Sequence, residues 1–451
     1  TTTGMATDQG KTSNLNAIGI IAETLDVEPQ KVGTTTYRLP YTPTTFGVWA
    51  GRDVGDLLDP ERVTAMHEWH VEHGAVFEDV GQWKRPFYFP KEGEGKHEAV
   101  MRECQAQRDS VGILDASTLG KIVIKGKDAG EFLDWVYTNK FSTLKPGKCR
   151  YGLMLKEDGF VFDDGVTSRI SEDEFYMTTT SGGAANVLDH LEEYLQTEWP
   201  HMDVYLTSVT EQWATATIAG PNARELLAEV ASGMDLSNEA FPFMTWQDGQ
   251  VAGVDARVFR ISFTGDLSYE INVPADYGLH LWQTLMQVGK KYGITPYGTE
   301  AMHVLRAEKG FIIVGQDTDG SVTPMDLDLN WIVSKKKGDF IGRRSLSRPD
   351  MLLAGRKQLV GVLTKDPAVM LPEGAQLVRQ LKDKPPMDMV GHVSSSYESP
   401  ACGRSIAMAL VKGGLAAKGE TLYSPQPDGS VIECVTCDPV FYDADGVRQN
   451  M

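Results

Sequence analysis

The sequence predicts an α+β fold in which helices cover antiparallel sheets, followed by a small C-terminal β-barrel or sandwich. Between about residues 95 and 345, segments with apolar residues at helical spacing alternate with segments in which apolar and polar residues alternate singly, as in a sheet with one covered face. After residue 357, short strand-like runs are separated by Gly and Pro turns. Residues 1 to about 75 show neither of these two patterns, so we expect three regions: 1–75, 76–350 and 351–451.

The overall charge restricts the classes of partner. With 62 acidic against 43 basic residues, the formal net charge is −19, which repels phosphate backbones and anionic lipid. No apolar run approaches the roughly 20 residues that cross a bilayer, and the N-terminus has neither a basic region nor an apolar signal core. We therefore expect no nucleic-acid partner, no membrane partner and a cytoplasmic location. Five scattered cysteines argue against a disulfide scaffold.

The first region begins with a look-alike of a phosphate-binding loop, "GMATDQGKTS", from Gly4 to Ser13. Such a loop follows a buried strand, and three threonines leave no room for one. A helical pattern, "NLNAIGIIAETL", then precedes the Thr- and Pro-rich "GTTTYRLPYTPTTFG". We interpret residues 1–75 as a linking arm.

A helix is predicted in "DPERVTAMHEWHVEHGAVFE", starting at its Asp-Pro. His67, His70 and His73 stand three apart in it. Zinc-binding helices commonly place two histidines four apart, so surface or interface histidines are the favoured interpretation and no metal site is predicted.

Regular elements are then predicted through the second and third regions. The predicted helices are "HEAVMRECQAQRDSVG", "AGEFLDWVYTNK", "AANVLDHLEEYLQ", "NARELLAEVA" and "GLHLWQTLMQVGKKYG". The predicted strands between them include "GKIVIKG", "EFYMTTT", "WATATIAG" and "ARVFRISF", and those of the last region "QLVGVLT", "RSIAMALV", "ETLYSP" and "VIECVTC". This order favours α+β layers over a doubly wound parallel sheet.

The segment "CRYGLMLKEDGFVFDDGVTSRI" predicts a hairpin with its turn at Glu157-Asp158-Gly159 and an acidic pair, Asp163-Asp164, on the returning strand. Neighbouring residues of a strand face opposite ways, so one of the two carboxylates points toward a pocket or the core. Burying a carboxylate without a hydrogen-bond donor or a positive charge costs free energy, so such a residue usually has such a partner or a functional role. The alternative is an acidic pair on the surface beside a turn.

Three later segments decide between these alternatives. "TATIAGPNARELL", "RISFTGDLSYEINVP" and "LRAEKGFIIVGQDTDGSVTPMDLDLNWIV" follow the hairpin in an order and spacing that resemble the folate-dependent aminomethyltransferases, whose type member is the T-protein of the glycine cleavage system. "GHVSSSYESPACGRSIAMALV" resembles the C-terminal barrel domain of that family. The resemblance spans about residues 80–445 and implies folate-binding domains followed by a barrel.

The first region resembles part of a different assembly. "TDQGKTSNLNAIGIIAE", "VGTTTYRLPYTPTTFG" and "GQWKRPFYFP" look like the segment that joins the dinucleotide-binding and folate-binding parts in α subunits of heterotetrameric sarcosine oxidases. This implies that the chain is the C-terminal half of such a subunit. Its partners would be the remainder of the α chain, a flavin-bearing β subunit and smaller subunits. FAD, FMN and NAD would lie elsewhere in that complex.

The aminomethyltransferase resemblance also implies roles for single residues. Tetrahydrofolate would bind here, with Glu270 holding the pterin and with Tyr151 and Phe263 lining the folate site. Asp164 would be the carboxylate beside the reacting nitrogen, stabilising an iminium cation. Asp163 would be its outward neighbour.

Two positions near residue 300 complete the expectations. Met302 stands where the T-proteins usually have Arg, which fits a donor that is a free imine rather than a carrier protein. Arg306 is a further candidate for folate binding, with an ion pair to Glu308 or Asp317 as the alternative. The implied reaction converts an imine, made from sarcosine by a flavin partner, into 5,10-methylenetetrahydrofolate and glycine. The alternatives are a complex acting on another N-methyl amino acid, such as N-methylglutamate, and a folate-binding scaffold without catalysis.

Overall fold

The computed structural model of the chain describes residue 26 and residues 61–384 and 386–451. The phosphate-loop look-alike and most of the linking arm therefore lie outside the described residues. The α-helices are α1 (His67–Glu72), α2 (Lys96–Asp109), α3 (Ala129–Val136), α4 (Ala184–Thr197), α5 (Ala223–Val230), α6 (Gly278–Gly289) and α7 (Thr299–Glu308).

The strands fall into two groups along the chain. Before residue 300 they are β1 (Val76–Val80), β2 (Trp83–Tyr88), β3 (Gly112–Asp115), β4 (Gly120–Lys125), β5 (Cys149–Leu155), β6 (Val161–Arg169), β7 (Glu174–Thr179), β8 (Tyr205–Ser208), β9 (Trp213–Ala219), β10 (Ala231–Ser232), β11 (Thr245–Val251), β12 (Val254–Arg260), β13 (Ser268–Pro274) and β14 (Thr295–Pro296). After it they are β15 (Lys357–Thr364), β16 (Gln376–Val378), β17 (Met389–Ser399), β18 (Arg404–Lys412), β19 (Thr421–Pro425) and β20 (Val431–Cys437).

Two sheets form the centre of the molecule. A five-stranded antiparallel sheet has the order β5-β6-β7-β4-β8. A seven-stranded sheet has the order β10-β11-β12-β13-β9-β3-β14, antiparallel except for the short parallel pair β3–β14. β1 and β2 form a separate hairpin. The predicted α+β class with antiparallel sheets is confirmed.

The helices lie on the outer faces of these sheets. α5 and α6 cover the seven-stranded sheet around the fully buried Trp282, and α3 and α4 cover the five-stranded sheet around the fully buried Phe132. The inner faces meet where the ring of Tyr176 on β7 stacks on Phe259 of β12, with 5.5 Å between ring centroids. Away from this contact, the space between the sheets is open to a ligand.

The last region is a closed six-stranded barrel in the order β15-β18-β17-β16-β19-β20, completed by pairing of β15 with β20. The predicted barrel is confirmed. Helix α7, absent from the predicted helices, packs on α2, β2 and the barrel strands β17 and β18. The expected boundaries at 75/76 and 350/351 stay predictions.

Two expectations about the segment around α1 are wrong. The helix does not extend back toward the Asp-Pro, because the backbone N–H of Arg62 donates to the carbonyl of Gln82 and its carbonyl accepts from Lys84, which holds Arg62 beside β2. His70 is not a surface residue: it is 1% exposed, and its Nε2 lies 3.1 Å from Oδ2 of Asp115. Every helix in the described ranges is too short or too polar to span a bilayer.

Candidate functional site

A cavity of about 1660 Å³ lies between the two sheets. Its wall is formed by β5, β6 and β7 on one side and by β13 and the loop after β12 on the other. This volume exceeds the roughly 300–1,000 Å³ of ordinary small-molecule sites, so the cavity can hold more than one ligand. Four of the five predicted site residues line it: Tyr151, Asp164, Phe263 and Glu270.

The β5–β6 hairpin brings Tyr151 and Asp164 together. Tyr151 pairs with Val166 and Leu153 pairs with Asp164, so Tyr151 and Asp164 are diagonal neighbours on one face of the sheet. Long side chains reach across such a diagonal. The Tyr151 hydroxyl donates a 2.6 Å hydrogen bond to Oδ2 of Asp164. The sequence separation of thirteen residues is thus a direct contact in the fold.

The surroundings of Asp164 favour its neutral form more than water does. Burial raises the pKa of Asp164 to about 6, and the hydrogen bond from Tyr151 opposes that rise. Burial and the nearby negative charge of Asp164 hold the pKa of Tyr151 well above its ordinary value. Tyr151 therefore stays a proton donor, and Asp164 is a carboxylate at neutral pH that can take up a proton at mildly acid pH.

Asp163 does not point outward to solvent, and that expectation is wrong. Its side chain is 1% exposed because the turn 180–183 and the start of α4 cover its face of the sheet. Thr180 Oγ1 donates to Oδ2 of Asp163 at 3.3 Å, and a Cβ placed on Gly183 would lie 2.7 Å from the same oxygen. Burial, followed by repulsion from Asp164, raises the pKa of Asp163 to about 7. The two carboxylates therefore titrate as a coupled pair.

Glu270 faces the cavity from the opposite sheet. On β13 its neighbours Tyr269 and Ile271 are fully buried under the helices, and strand alternation turns Glu270 the other way. Burial raises the pKa of Glu270 to about 7, and the positive charge of Lys121 opposes this rise. Among the described residues, no donor forms a hydrogen bond to the Glu270 carboxylate. Its acceptor oxygens are therefore free for a ligand.

The remaining predicted residues separate into one that lines the cavity and one that does not. The Phe263 ring is 38% exposed at the cavity and stacks with Phe311 at 6.3 Å between centroids. Arg306 is fully buried elsewhere, 2.5 Å from Oδ2 of Asp317 and 2.7 Å from Oγ of Ser395. The structure thus contains the alternative ion pair and does not bring Arg306 to the site.

Sequence reasoning missed two basic residues at this site: Arg85 lines the cavity, and Lys121 lines a separate small pocket together with Glu270. Lys121 on β4 is 1% exposed, donates to the carbonyls of Ser117 and Leu119, and has a pKa lowered to about 8 by burial. Arg85 on β2 lines the cavity near the turn 180–183. Neither stands in a recognisable motif: a lone basic residue in a strand ordinarily indicates a solvated face. In the described ranges no group of three or more His, Cys, Asp or Glu side chains is arranged to hold a metal ion.

Comparison with known proteins places these features in families. The GCVT N-terminal domain family matches residues 66–337, and the glycine cleavage T-protein C-terminal barrel domain matches residues 357–443. The sarcosine oxidase A3 domain matches residues 1–52, of which the structure describes only residue 26. The matches cover both the hairpin that carries Asp164 and the strand that carries Glu270.

Individual relatives agree with these matches. Sarcosine oxidase subunit alpha of Corynebacterium sp. (strain U-96) is 55% identical over the whole chain, which covers 47% of that relative. The chain thus spans about half the length of the curated relatives of this type. Aminomethyltransferase of Thermotoga petrophila is 30% identical over 84% of the chain and 97% of its own length. The crystal structure of aminomethyltransferase T of the glycine cleavage system from Bartonella henselae shares the fold, with a TM-score of 0.74 at 24% identity, over 85% of this chain and 98% of that one.

Proposed function

We propose, because this chain belongs to the GCVT (aminomethyltransferase) family, that its cavity binds tetrahydrofolate and transfers a one-carbon unit to it from the imine of an N-methyl amino acid. The observation that carries the proposal is that Glu270, which has no hydrogen-bond donor among the described residues, and the Tyr151–Asp164 pair line the same cavity from opposite sheets. One wall offers a recognition site for a hydrogen-bond donor, and the other offers a carboxylate for chemistry.

The residues present fit a reduced pterin. The pterin carries an N–H and an amino group side by side, and a carboxylate can accept both in bidentate fashion. Glu270 is the cavity carboxylate whose acceptors are not used by described donors. The exposed face of Phe263 supplies an apolar surface for a planar ring.

When bound, tetrahydrofolate would supply the amine nitrogens that accept the one-carbon unit. The overall change from the imine of sarcosine is a transfer without oxidation: two carbon–nitrogen bonds form to folate, the carbon–nitrogen double bond to the amino acid is lost, and two N–H protons move to the released glycine. The chain's own residues must therefore stabilise a cation and hold protons during the transfer.

Asp164 is the group suited to both tasks. Its carboxylate would stabilise the iminium cation by direct charge interaction in a partly buried place, where such interactions are stronger than in water. With a pKa of about 6 it could also accept a proton leaving a folate nitrogen and return it to the departing amine. Tyr151 fixes the orientation of the carboxylate through its hydrogen bond to Oδ2.

The relatives of the sarcosine oxidase type suggest the larger context. We propose that the chain works in a hetero-oligomer in the cytoplasm, with the remainder of the α chain, a flavin-bearing β subunit and smaller subunits. The flavin partner would oxidise sarcosine to the imine, and FAD, FMN and NAD would lie outside this chain. A complex acting on another N-methyl amino acid, such as N-methylglutamate, would present the same imine chemistry.

The proposal is tested by calorimetric titration of the full 451-residue chain with 5-formyltetrahydrofolate, an unreactive analogue. We expect saturable binding that Glu270→Ala weakens strongly, while Glu172→Ala, which removes an exposed carboxylate outside the cavity, leaves it unchanged. No binding at millimolar ligand by a chain that is folded by circular dichroism would contradict the proposal. Folate binding without any formation of 5,10-methylenetetrahydrofolate in the reconstituted complex would support the non-catalytic scaffold instead.

A further inference from the structure

Arg85 lines the cavity with most of its hydrogen-bonding capacity unused. A guanidinium has five N–H donors. Among the described residues its one hydrogen bond is from Nη1 to Oγ of Ser181, at a long 3.5 Å, and its Nε is buried without a partner. No described carboxylate lies within 4 Å of it. A partly buried guanidinium in this state lacks a hydrogen-bonding anion.

The acidic residue opposite Arg85 on the neighbouring strand does not supply that anion. Glu78 stands directly opposite Arg85 in the β1–β2 ladder, which places the two side chains on the same face. The Glu78 carboxylate instead accepts a hydrogen bond from Thr299 on α7, and it does not form an ion pair with Arg85. The negative charge of Glu78 therefore offsets the cost of burying Arg85 only at a distance, and the donors of Arg85 stay available.

The position of Arg85 relates it to the acidic pair. Its contact residue, Ser181, follows Thr180, whose hydroxyl donates to Asp163, and Asp163 adjoins Asp164. Ser181 also exchanges a 2.9 Å hydrogen bond with Thr118. Arg85 and Asp164 therefore line the same cavity, and the turn 180–183 contacts both Arg85 and the residue next to Asp164. A ligand that carries both a negative and a positive charge would complement this pair.

We propose that Arg85 anchors the carboxylate of the amino-acid part of the one-carbon donor while the donor's nitrogen lies toward Asp164. The inference rests on the proposed function and extends it: the cavity selects zwitterionic amino-acid imines over imines of simple amines. The guanidinium fork matches a carboxylate in bidentate geometry, and Ser181 adds a hydroxyl donor beside it. The same anchor would hold the amino acid that is released.

The test uses the full 451-residue chain, saturated with 5-formyltetrahydrofolate, and glycine as the probe. Binding of glycine is measured by ligand-observed NMR titration, with methylamine as the probe that lacks a carboxylate. We expect glycine to bind and methylamine to bind at least tenfold more weakly. Arg85→Gln should weaken glycine at least tenfold and leave the affinity for the folate analogue within twofold. Arg85→Lys keeps the charge but loses the guanidinium fork. Its affinity for glycine should lie between that of the unmodified chain and that of Arg85→Gln.

The matched control is Lys84→Gln. Lys84 directly precedes Arg85 on β2, forms an ion pair with Asp79 and does not line the cavity. The variant therefore removes one positive charge from the same strand without changing the cavity wall. It should leave glycine binding unchanged. Equal affinity for glycine in the unmodified chain and Arg85→Gln, or an equal loss in Lys84→Gln, would overturn the inference. So would the absence of glycine binding up to 100 mM.

The two proposals fail in different ways. If folate binds but glycine is insensitive to Arg85, the carboxylate anchor is wrong and the proposed function stands. If folate does not bind, the proposed function fails, and the glycine titration is then made on the folate-free chain, where dependence on Arg85 would still support the anchor. If circular dichroism shows that Arg85→Gln does not fold, Arg85→Lys decides, and unchanged glycine affinity in that variant overturns the inference.

Discussion

The hydroxyl of Tyr151 donates a 2.6 Å hydrogen bond to Oδ2 of Asp164, the cavity carboxylate whose pKa burial raises to about 6. This hydrogen bond favours the ionised carboxylate, whereas burial favours the neutral acid. The charge of Asp164 near neutral pH therefore depends on a balance between burial and this hydrogen bond, which a single substitution can shift.

Removing the hydroxyl should move that balance toward the neutral acid. Tyr151→Phe deletes a hydrogen bond to a charged group, worth about 1.5–3 kcal/mol, which corresponds to a rise in the pKa of Asp164 of roughly 1–2 units. Activity that needs the carboxylate is present above this pKa and is lost as the pH falls through it. The acid limb of the rate profile for 5,10-methylenetetrahydrofolate formation, measured in the reconstituted complex between pH 5 and 9, should therefore move upward.

The matched control for this profile is Asp163→Asn. Its Oδ1 can keep the hydrogen bond from the backbone N–H of Asp164, while its NH₂ group can donate to the Thr180 hydroxyl. Because the pKa of Asp163 is about 7, above that of Asp164, Asp163 is neutral while Asp164 titrates, and the acid limb should move little. A shift as large as that of Tyr151→Phe would show that the limb does not report on Asp164 alone.

Neutralising Asp164 itself should separate catalysis from binding. Asp164→Asn keeps the shape of the side chain but removes the charge that would stabilise the iminium, so the one-carbon transfer should slow by about 10²–10⁴. Oxidation in the flavin partner should continue, with the carbon escaping as formaldehyde. The ratio of 5,10-methylenetetrahydrofolate to formaldehyde measures this, and an unchanged ratio in the variant would favour the non-catalytic scaffold.

Glu270 should show a conflict between stability and binding. Because burial raises its pKa from 4.5 to about 7, the ionised form costs folding free energy that is absent below pH 4.5 and fully present above pH 7. Glu270→Gln carries no charge, so relative to the unmodified chain it should gain on the order of 1–3 kcal/mol of unfolding free energy as the pH rises from 4.5 to 8. Urea unfolding of both proteins at pH 4.5 and pH 8 measures the gain. If the difference in unfolding free energy between the variant and the unmodified chain is the same at the two pH values, the prediction is wrong.

The same substitution should weaken ligand binding. An amide can direct only one oxygen at the two donors of a pterin, and its NH₂ group opposes the other. Glu270→Gln should therefore bind 5-formyltetrahydrofolate less tightly while being more stable at neutral pH, and Glu270→Ala should lose about 1.5–3 kcal/mol of binding free energy. A loss of a few tenths of a kcal/mol in calorimetry would mean that the ligand lies elsewhere.

Local patterns predicted the parts of the site that lie within single elements. Strand alternation in the β5–β6 hairpin was sufficient to turn Asp164 and Asp163 to opposite faces, and the family resemblance pointed to Tyr151 and Glu270. What covers each face could not be predicted in this way. Asp163 is buried by a turn that begins seventeen residues later, at Thr180, and no periodicity within the strand records that packing.

The other differences also come from contacts distant in sequence. Backbone hydrogen bonds with Gln82 and Lys84 hold Arg62 beside β2. Helix α1 is therefore shorter than the Asp-Pro and the apolar spacing of this segment predicted. The local sequence Lys84-Arg85-Pro86 is typical of exposed charges on a strand. Arg85 reaches the cavity because the β1–β2 hairpin packs beside it. The local sequence of a strand indicates which residues share a face, whereas the partner of that face is set by tertiary packing.

Arg306 provides the clearest test of a role assigned from sequence. The fully buried Arg306 pairs with Asp317, which also accepts hydrogen bonds from Ser394 and Ser395 of the barrel strand β17. Arg306→Met would leave the Asp317 charge buried without its ion partner, so the free energy of unfolding should fall by about 3–5 kcal/mol, measured by urea denaturation. The double variant Arg306→Met/Asp317→Leu, which removes both charges, should recover much of this loss. Folate affinity in the folded fraction should stay within twofold, because Arg306 does not line the cavity. A folate ligand would behave in the opposite way, with a small loss of stability and a large loss of affinity that the second substitution does not restore.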